Sequence, residues 1–405
     1  MDISYCHKDK GIKIMKNKRN RPFCMFMLWL ALCTSITSCT TWPDETIESS
    51  YIMPTWPDPE YKFVRNDESS VNTLECELLK EPADIVYHSF MKEARISSVV
   101  QQERMNEYFK QGVYGKAPFD EIATSMVHRV DRDRILAVFQ QLFDESRALS
   151  GYGYPRPADI RNTKAQMGKG GYLGYNIGDE NLAFVNAKGV AVAEVYYEMV
   201  RGSIYLDKIL NVHLNPELYN DQQLLKDQAA SNLVNGHNYT ELEHHWDLAY
   251  GYYQYWLPIV QKNERSALKG SRIKLYNAFA AGRLAMTEYR FDEMRTCLHT
   301  IRQELSKVVA VHAIQLLSGE VTNANLHEDI SNALVFLSRA YGAVFSLQFA
   351  VNTEGKPLYT FDEVQTLLDA LTQNSGLWDK QRLEGDSTTP GSIAYTVAQI
   401  KQRIK

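Results

Sequence analysis

His237, Glu241, His244, His245 and Asp247 fall within eleven residues, in a chain of 405 residues that holds ten histidines. On a helix, Glu241 and His244 are three apart and Glu241 and His245 four apart, so either pair shares a face. Carboxylate and imidazole at such spacing can ligate zinc or iron. Asp247 could ligate from another face or orient an imidazole as an outer acceptor. His237 precedes the first turn and can fold back. Adjacent side chains on a helix diverge by about 100°, so His244 and His245 do not easily face one metal. A buried polar network between helices, or a sugar or peptide contact surface, uses the same residues. The run that follows, 250–256, is Tyr-Gly-Tyr-Tyr-Gln-Tyr-Trp. Tyr250 and Tyr252 could stack on a porphyrin or a sugar ring, or belong to a core. Gly251 in mid-helix points to close helix–helix approach.

Other chemistry is thinly signalled. His312 lies in the apolar stretch 308–314, where a histidine satisfied within the core is the ordinary outcome. The glycine-rich segment 168–174 lacks the GxxxxGK[ST] of a phosphate-binding loop. Neither GxSxG nor HExxH occurs. A metallopeptidase needs a general base beside an open metal position, and no such arrangement is legible, so a non-catalytic role is favoured over an enzymatic one. The chain carries 44 Lys and Arg against 49 Asp and Glu, a net charge of −5. Nucleic-acid binding needs a basic footprint, and this balance argues against it.

The N-terminus carries an address. Lys16, Lys18, Arg19 and Arg21 precede an apolar run over 23–33, and Ile36-Thr37-Ser38-Cys39 closes it. The run is far short of the ~20 residues that span a bilayer, and the order of charge, apolar core and small residues reads as a processed signal. We expect residues 1–38 to be a lipoprotein signal peptide and Cys39 to be lipidated. The protein would then be anchored in the cell envelope by its N-terminal lipid, at the outer membrane facing periplasm or surface. Two or more acyl chains hold such an anchor stably. Beyond Cys39 only Cys76 and Cys297 remain; a disulfide or two buried thiols fit equally.

Residues 39–81, rich in Pro, Ser, Thr and acidic side chains at their start, read as a tether. Residues 82–405 read as one all-helical domain. Helices are expected near 84–109, 119–149, 182–211, 216–234, 240–261, 265–290, 291–318, 326–351, 360–373 and 390–404. Thr240 with Glu243 forms a capping-box pattern, so one helix should begin there. Alternation typical of strands is nearly absent. The fold class is therefore all-α, an antiparallel helical bundle, and a coarse duplication meeting near residue 215 would give it two pseudo-symmetric halves.

The stretch 243–252, Glu-His-His-Trp-Asp-Leu-Ala-Tyr-Gly-Tyr, resembles the signature of a family of lipoproteins from Bacteroidota classed as a domain of unknown function. The stretches 185–193 and 333–347 resemble it more loosely. That family is similar to the imelysin group of helical exported proteins, tied to iron or haem uptake or called peptidases. The imelysin signature GxHxxE is not matched, because Gly236 and His237 are adjacent and Glu241 is four residues on. The resemblance implies a helical, exported protein with imelysin-like halves. Together with the histidine cluster it gives the leading expectation: a non-catalytic binding protein for iron, haem or another metal-bearing nutrient, zinc included, working with an outer-membrane receptor or transporter. The alternative is a surface scaffold or a glycan- or protein-binding accessory lipoprotein whose His–Trp–Asp cluster is structural.

Overall fold

The computed structural model describes residues 60–92, 102–149, 164–173, 183–264, 267–319, 322, 326 and 330–404. Residues 1–38, expected to be a signal peptide, Cys39 and the first part of the expected tether lie outside them. Ordered structure starts well before residue 82. A small hairpin of β1 (Val64–Arg65) and β2 (Glu68–Ser69) turns through Asn66 and Asp67, both at positive φ. Helix α1 (Leu74–Ile85) follows and runs on as π-helix over Val86–Lys92. The tether composition thus hides a folded segment, because Cys76, Leu79 and Ala83 put an apolar stripe among polar neighbours.

Next come α2 (Gln102–Lys110), α3 (Pro118–Glu121) and α4 (Arg132–Leu149). The expected helix 119–149 is interrupted between α3 and α4. There Ala123 takes φ +51°, and Ser125 and His128 turn inward onto Asp207. The second antiparallel pair is β3 (Gly171–Leu173) with β4 (Ala183–Val185), in the register Gly171–Val185. A turn then ends at Gly189, φ +78°, and delays the next helix relative to the expected start at 182.

That helix is the axis of the molecule. It begins as α5 (Val192–Val200) and continues as π-helix over Arg201–Leu206 and Lys208–His213. Donors from other elements reach backbone carbonyls along this helix and at its end. Ser346 Oγ donates to the Glu198 carbonyl (3.0 Å), the Ala123 amide donates to the Ser203 carbonyl (2.9 Å), and Arg302 donates to the carbonyls of Leu210 and Leu214.

After a single 3₁₀ turn at Leu218–Asn220 come α6 (Gln222–Ala229), capped by Asp221, and α7 (Glu241–Tyr253), whose capping box of Thr240 and Glu243 forms as the spacing indicates. Helix α7 stops short of 261 because Pro258 opens a new helix, α8 (Leu257–Asn263). The long pair α9 (Ser271–Thr287) and α10 (Phe291–Ser318) packs side by side across a tight turn at Tyr289. Asp292 and Glu293 sit at the positive end of α10, and no Gly or Pro interrupts it. Then come α11 (Ile330–Ser346), α12 (Phe361–Leu371), α13 (Lys380–Leu383) and α14 (Ile393–Arg403). Helix α10 lies between α9 and α11, and α11 packs on α5. The stretch Ile330–Phe349 is long and apolar enough to cross a membrane, but most of it is covered by these neighbours.

The architecture is an all-α helical bundle with two minor strand pairs among the described residues. Helices α11 and α5 meet at backbone distance. A Cβ on Gly342 would lie 2.6 Å from the Val195 carbonyl oxygen and 2.8 Å from Glu198 Cβ. Gly342→Ala is therefore expected to cost about 1–3 kcal/mol of stability through overpacking. A denaturant titration with an unchanged midpoint would show that the helices are not this close.

Candidate functional site

The capping box sets the geometry of the cluster. It fixes the first turn of α7 so that Glu243 and Asp247, one turn apart, point to the same buried side. Both are fully buried. Across from them α9 supplies Arg283, 1 % exposed. Arg283 Nε donates to Asp247 Oδ1 (3.1 Å), and its Nη1 lies 3.0 Å from Glu243 Oε1 and donates to Thr287 Oγ1 (2.9 Å). Its Nη2 donates to Ser70 Oγ (3.2 Å). The N-terminal hairpin closes the top. Arg65 grips Glu243 with two bonds of 2.7 Å, and Tyr61 Oη donates to Asp247 Oδ1 (2.7 Å). The Thr240 amide adds a 2.9 Å bond to Glu243 Oε2.

The two carboxylates differ electrostatically. Burial opposes the charge on Glu243 most, but the bonds from Arg65, the Arg283 charge and the Thr240 amide outweigh it and hold the group below the usual range. For Asp247 burial dominates over Arg283 and Tyr61, and its pKa rises to about 6. Its Oδ2 is buried without a partner.

The histidines go elsewhere. His237 is exposed and stacks on Tyr239, whose ring also stacks on His244 at 4.4 Å. His245 turns to the π-helix, where its Nδ1 lies 2.9 Å from Nδ1 of His213. Burial pushes the pKa of His213 well down, helped by His245 and Lys208. Burial likewise lowers His244 and His245. Glu241 is exposed. The five residues His237, Glu241, His244, His245 and Asp247 thus reach four separate environments: the Tyr239 stack, solvent, His213 and Arg283. Among the described residues, no group of three or more His, Cys, Asp or Glu is placed to hold a metal ion. Tyr250 is stacked against Tyr61 with centroids 3.8 Å apart, and Tyr252 is buried beside His213 with its hydroxyl donating to Glu75 (3.3 Å). Trp246 donates to the Phe279 carbonyl (2.9 Å) and lies over Gly282, where a Cβ would come within 2.2 Å of its ring. Gly251 does permit a close approach, to Cys76 Sγ and Thr73. Cys76 and Cys297 are free buried thiols.

Two further polar clusters lie along the π-helix, and the sequence reading missed both. Asp207 accepts from Ser125 Oγ (2.7 Å) and faces His128 Nδ1 (2.8 Å). These are serine, histidine and aspartate, but His128 Nε2 is engaged with the Gln348 carbonyl at 2.8 Å. Ser125 Oγ and Asp207 Oδ1 both meet the same imidazole nitrogen, Nδ1, at 3.0 and 2.8 Å, whereas a hydrolase triad places serine and aspartate on opposite nitrogens, so that relay is not built here. The second cluster surrounds Glu198. It accepts from Arg201 (2.6 Å) and Arg339 (2.9 Å), and His312 Nε2 lies 3.0 Å away. Only His312 stood out in sequence. Its partners are spread over three helices, and no local spacing unites them.

The lowered histidines fix a pH response. Folded His213, His244, His245 and His312 resist protonation because burial opposes their charge, whereas in the unfolded chain they titrate near 6.5. Below about that pH the unfolded state binds more protons, so these groups subtract stability as pH falls. Asp247 acts oppositely: its raised pKa lets the folded state take a proton between about 6 and the unfolded value near 4, adding stability on acidification. Four groups oppose one, so the midpoint of denaturant unfolding is expected to fall from pH 7.5 to 5, and His245→Gln should flatten that slope. Identical slopes in the two proteins would contradict the assignment.

A search of curated proteins returns no match, and none of the solved structures matches either. A family profile does match, over residues 58–404. The match includes the hairpin that closes the Glu243–Asp247 site. The chain belongs to the family described as Domain of unknown function (DUF4856).

Proposed function

We propose that the chain is an exported lipoprotein of the cell envelope, held to a membrane by lipid on Cys39, whose helical domain is a non-catalytic scaffold or accessory module for glycan or protein partners. The observation that carries the reading is the closure of the 237–247 cluster. A carboxylate offered to a ligand needs an accessible oxygen. Glu243 gives both oxygens to Arg65, and Asp247 is buried against Arg283 and Tyr61. The cluster therefore serves to lock the N-terminal hairpin, α7 and α9 together. The signal-like order of residues 16–39 supports the address.

A second reading, uptake of iron, haem or zinc, draws on one feature. The Nδ1 atoms of His213 and His245 face each other, and His213 Nε2 and His244 Nδ1 are buried without partners. Their lowered pKa values leave neutral imidazoles, the form that ligates metal.

The discriminating experiment uses the full chain purified without chelator. Bound metals are assayed by mass spectrometry and haemin is titrated by absorbance, before and after the double substitution His244→Ala and His245→Ala. The scaffold reading predicts no stoichiometric metal, and a melting temperature lowered by several degrees with weak haemin binding unchanged. Near-stoichiometric metal, or a sharp haem band, that disappears in the double variant would overturn it in favour of the second reading.

A further inference from the structure

The Glu198 cluster does not stop at the core. It forms the floor of a cleft of about 440 Å³ between the π-helix, α8, α10 and α11. That volume is within the range of about 300–1,000 Å³ that small-molecule sites occupy. Arg201, Lys262 and Arg339 line it, and among the described residues no carboxylate does. Glu198 itself is 1 % exposed and lies beneath the lining. One carboxylate thus anchors two guanidinium groups at the cleft wall, Arg201 through Nη1 and Arg339 through Nε and Nη2. Arg339 also lies 3.9 Å from Glu194, whose other oxygen accepts from Tyr87.

The geometry holds the cations ready. The Arg201 guanidinium lies over the Tyr197 ring at 4.7 Å and stands 5.7 Å from Trp256. Its stem is buried and its planar fork is fixed before any ligand arrives, which reduces the ordering cost of binding. Lys262 is exposed at the rim. Ile259, Leu316 and Phe336 give the remaining wall an apolar character. A second cleft of about 220 Å³ shares Tyr197, Arg201 and Pro258 with the first, so two cavities meet at the Arg201 side chain.

We propose that this cleft is a binding site for a small organic anion, a carboxylate or phosphate monoester carrying an apolar or ring portion. The anionic group lies between Arg201, Arg339 and Lys262, where charge-assisted bonds come from the guanidinium N–H groups not given to Glu198 and from the ammonium. The apolar portion lies on Phe336 and Ile259. Arg201 and Arg339 are offset by two buried carboxylates, Glu198 and Glu194, so among the described lining residues Lys262 supplies the positive excess, which an uncharged ligand cannot use. The site is separate from the Glu243–Asp247 lock and does not depend on lipid attachment or on the role of the histidines.

The test is calorimetric titration of the full chain with phenyl phosphate, benzoate, inorganic phosphate and benzyl alcohol. Phenyl phosphate or benzoate is expected to bind with a Kd below about 1 mM, and benzyl alcohol at least tenfold more weakly. Phenyl phosphate against benzoate identifies the preferred head group, and inorganic phosphate measures how much the ring portion adds. Lys262→Glu reverses an exposed charge without touching the core, so it should weaken the preferred anion about tenfold or more at an unchanged melting temperature. Arg339→Met should weaken it further. The proposal is overturned if neither ring-bearing anion binds more tightly than benzyl alcohol, or if binding survives Lys262→Glu and Arg339→Met undiminished.

Discussion

Burial of Arg283 is the constraint on which the N-terminal half of the site depends. A guanidinium cannot be deprotonated in a protein interior, so its charge must be met. Four acceptors from three parts of the chain meet it: Asp247 and Glu243 on α7, Thr287 on its own helix, and Ser70 after the hairpin. The Phe63 ring covers its face at 4.9 Å. Satisfying one arginine therefore fixes the relation of α7 to α9 and holds residues 61–70 over both. Buried ion pairs add little net stability, because desolvation offsets attraction, but breaking one by removing a single partner costs about 3–5 kcal/mol. The raised pKa of Asp247 is consistent with that offset, since desolvation is its largest cause despite the adjacent arginine. The pair specifies one arrangement more than it deepens the energy well.

The same principle recurs along the axis helix. Glu198, Asp207 and His213 occur at successive levels of residues 192–213, each fully or nearly buried and each facing partners from other helices. Donors from α10 and α11 also reach backbone carbonyls of this helix, at Glu198 and Leu210, and that of Leu214 just after it. Of these levels, the one at Glu198 has cationic partners that reach an open cleft. The Asp207 level is sealed by the Gln348 carbonyl, and the histidine level by Tyr252. Binding capacity is thus placed where the network reaches solvent, away from the residues whose spacing first suggests a ligand.

How much was legible in the sequence follows from range. The capping box at Thr240, the full length of α10 and the close approach at Gly251 depend on neighbours in sequence or on one residue's size, and all three were readable. The break of helix 119–149 was not, because Ser125 and His128 are drawn inward by Asp207, some eighty residues away. The hairpin at 64–69 was hidden by a tether-like composition, since its stability comes from Arg65 and Tyr61 meeting α7. The four-residue spacing of Glu243 and Asp247 was not used in the sequence reading, which set Asp247 on another face, and no local spacing could show that Arg283 meets both. Nor could spacing separate His244, which meets Tyr239, from His245, which meets His213.

The most direct test of the lock is a double-mutant cycle between Asp247 and Arg283, using Asp247→Leu, Arg283→Met and the double variant in denaturant unfolding. The account predicts that each single change costs about 3–5 kcal/mol by stranding a buried charge. The double variant should then recover much of that loss, giving a coupling of about 2 kcal/mol or more. Additive losses, with no coupling beyond about 0.5 kcal/mol, would contradict the claim that this pair organises the site.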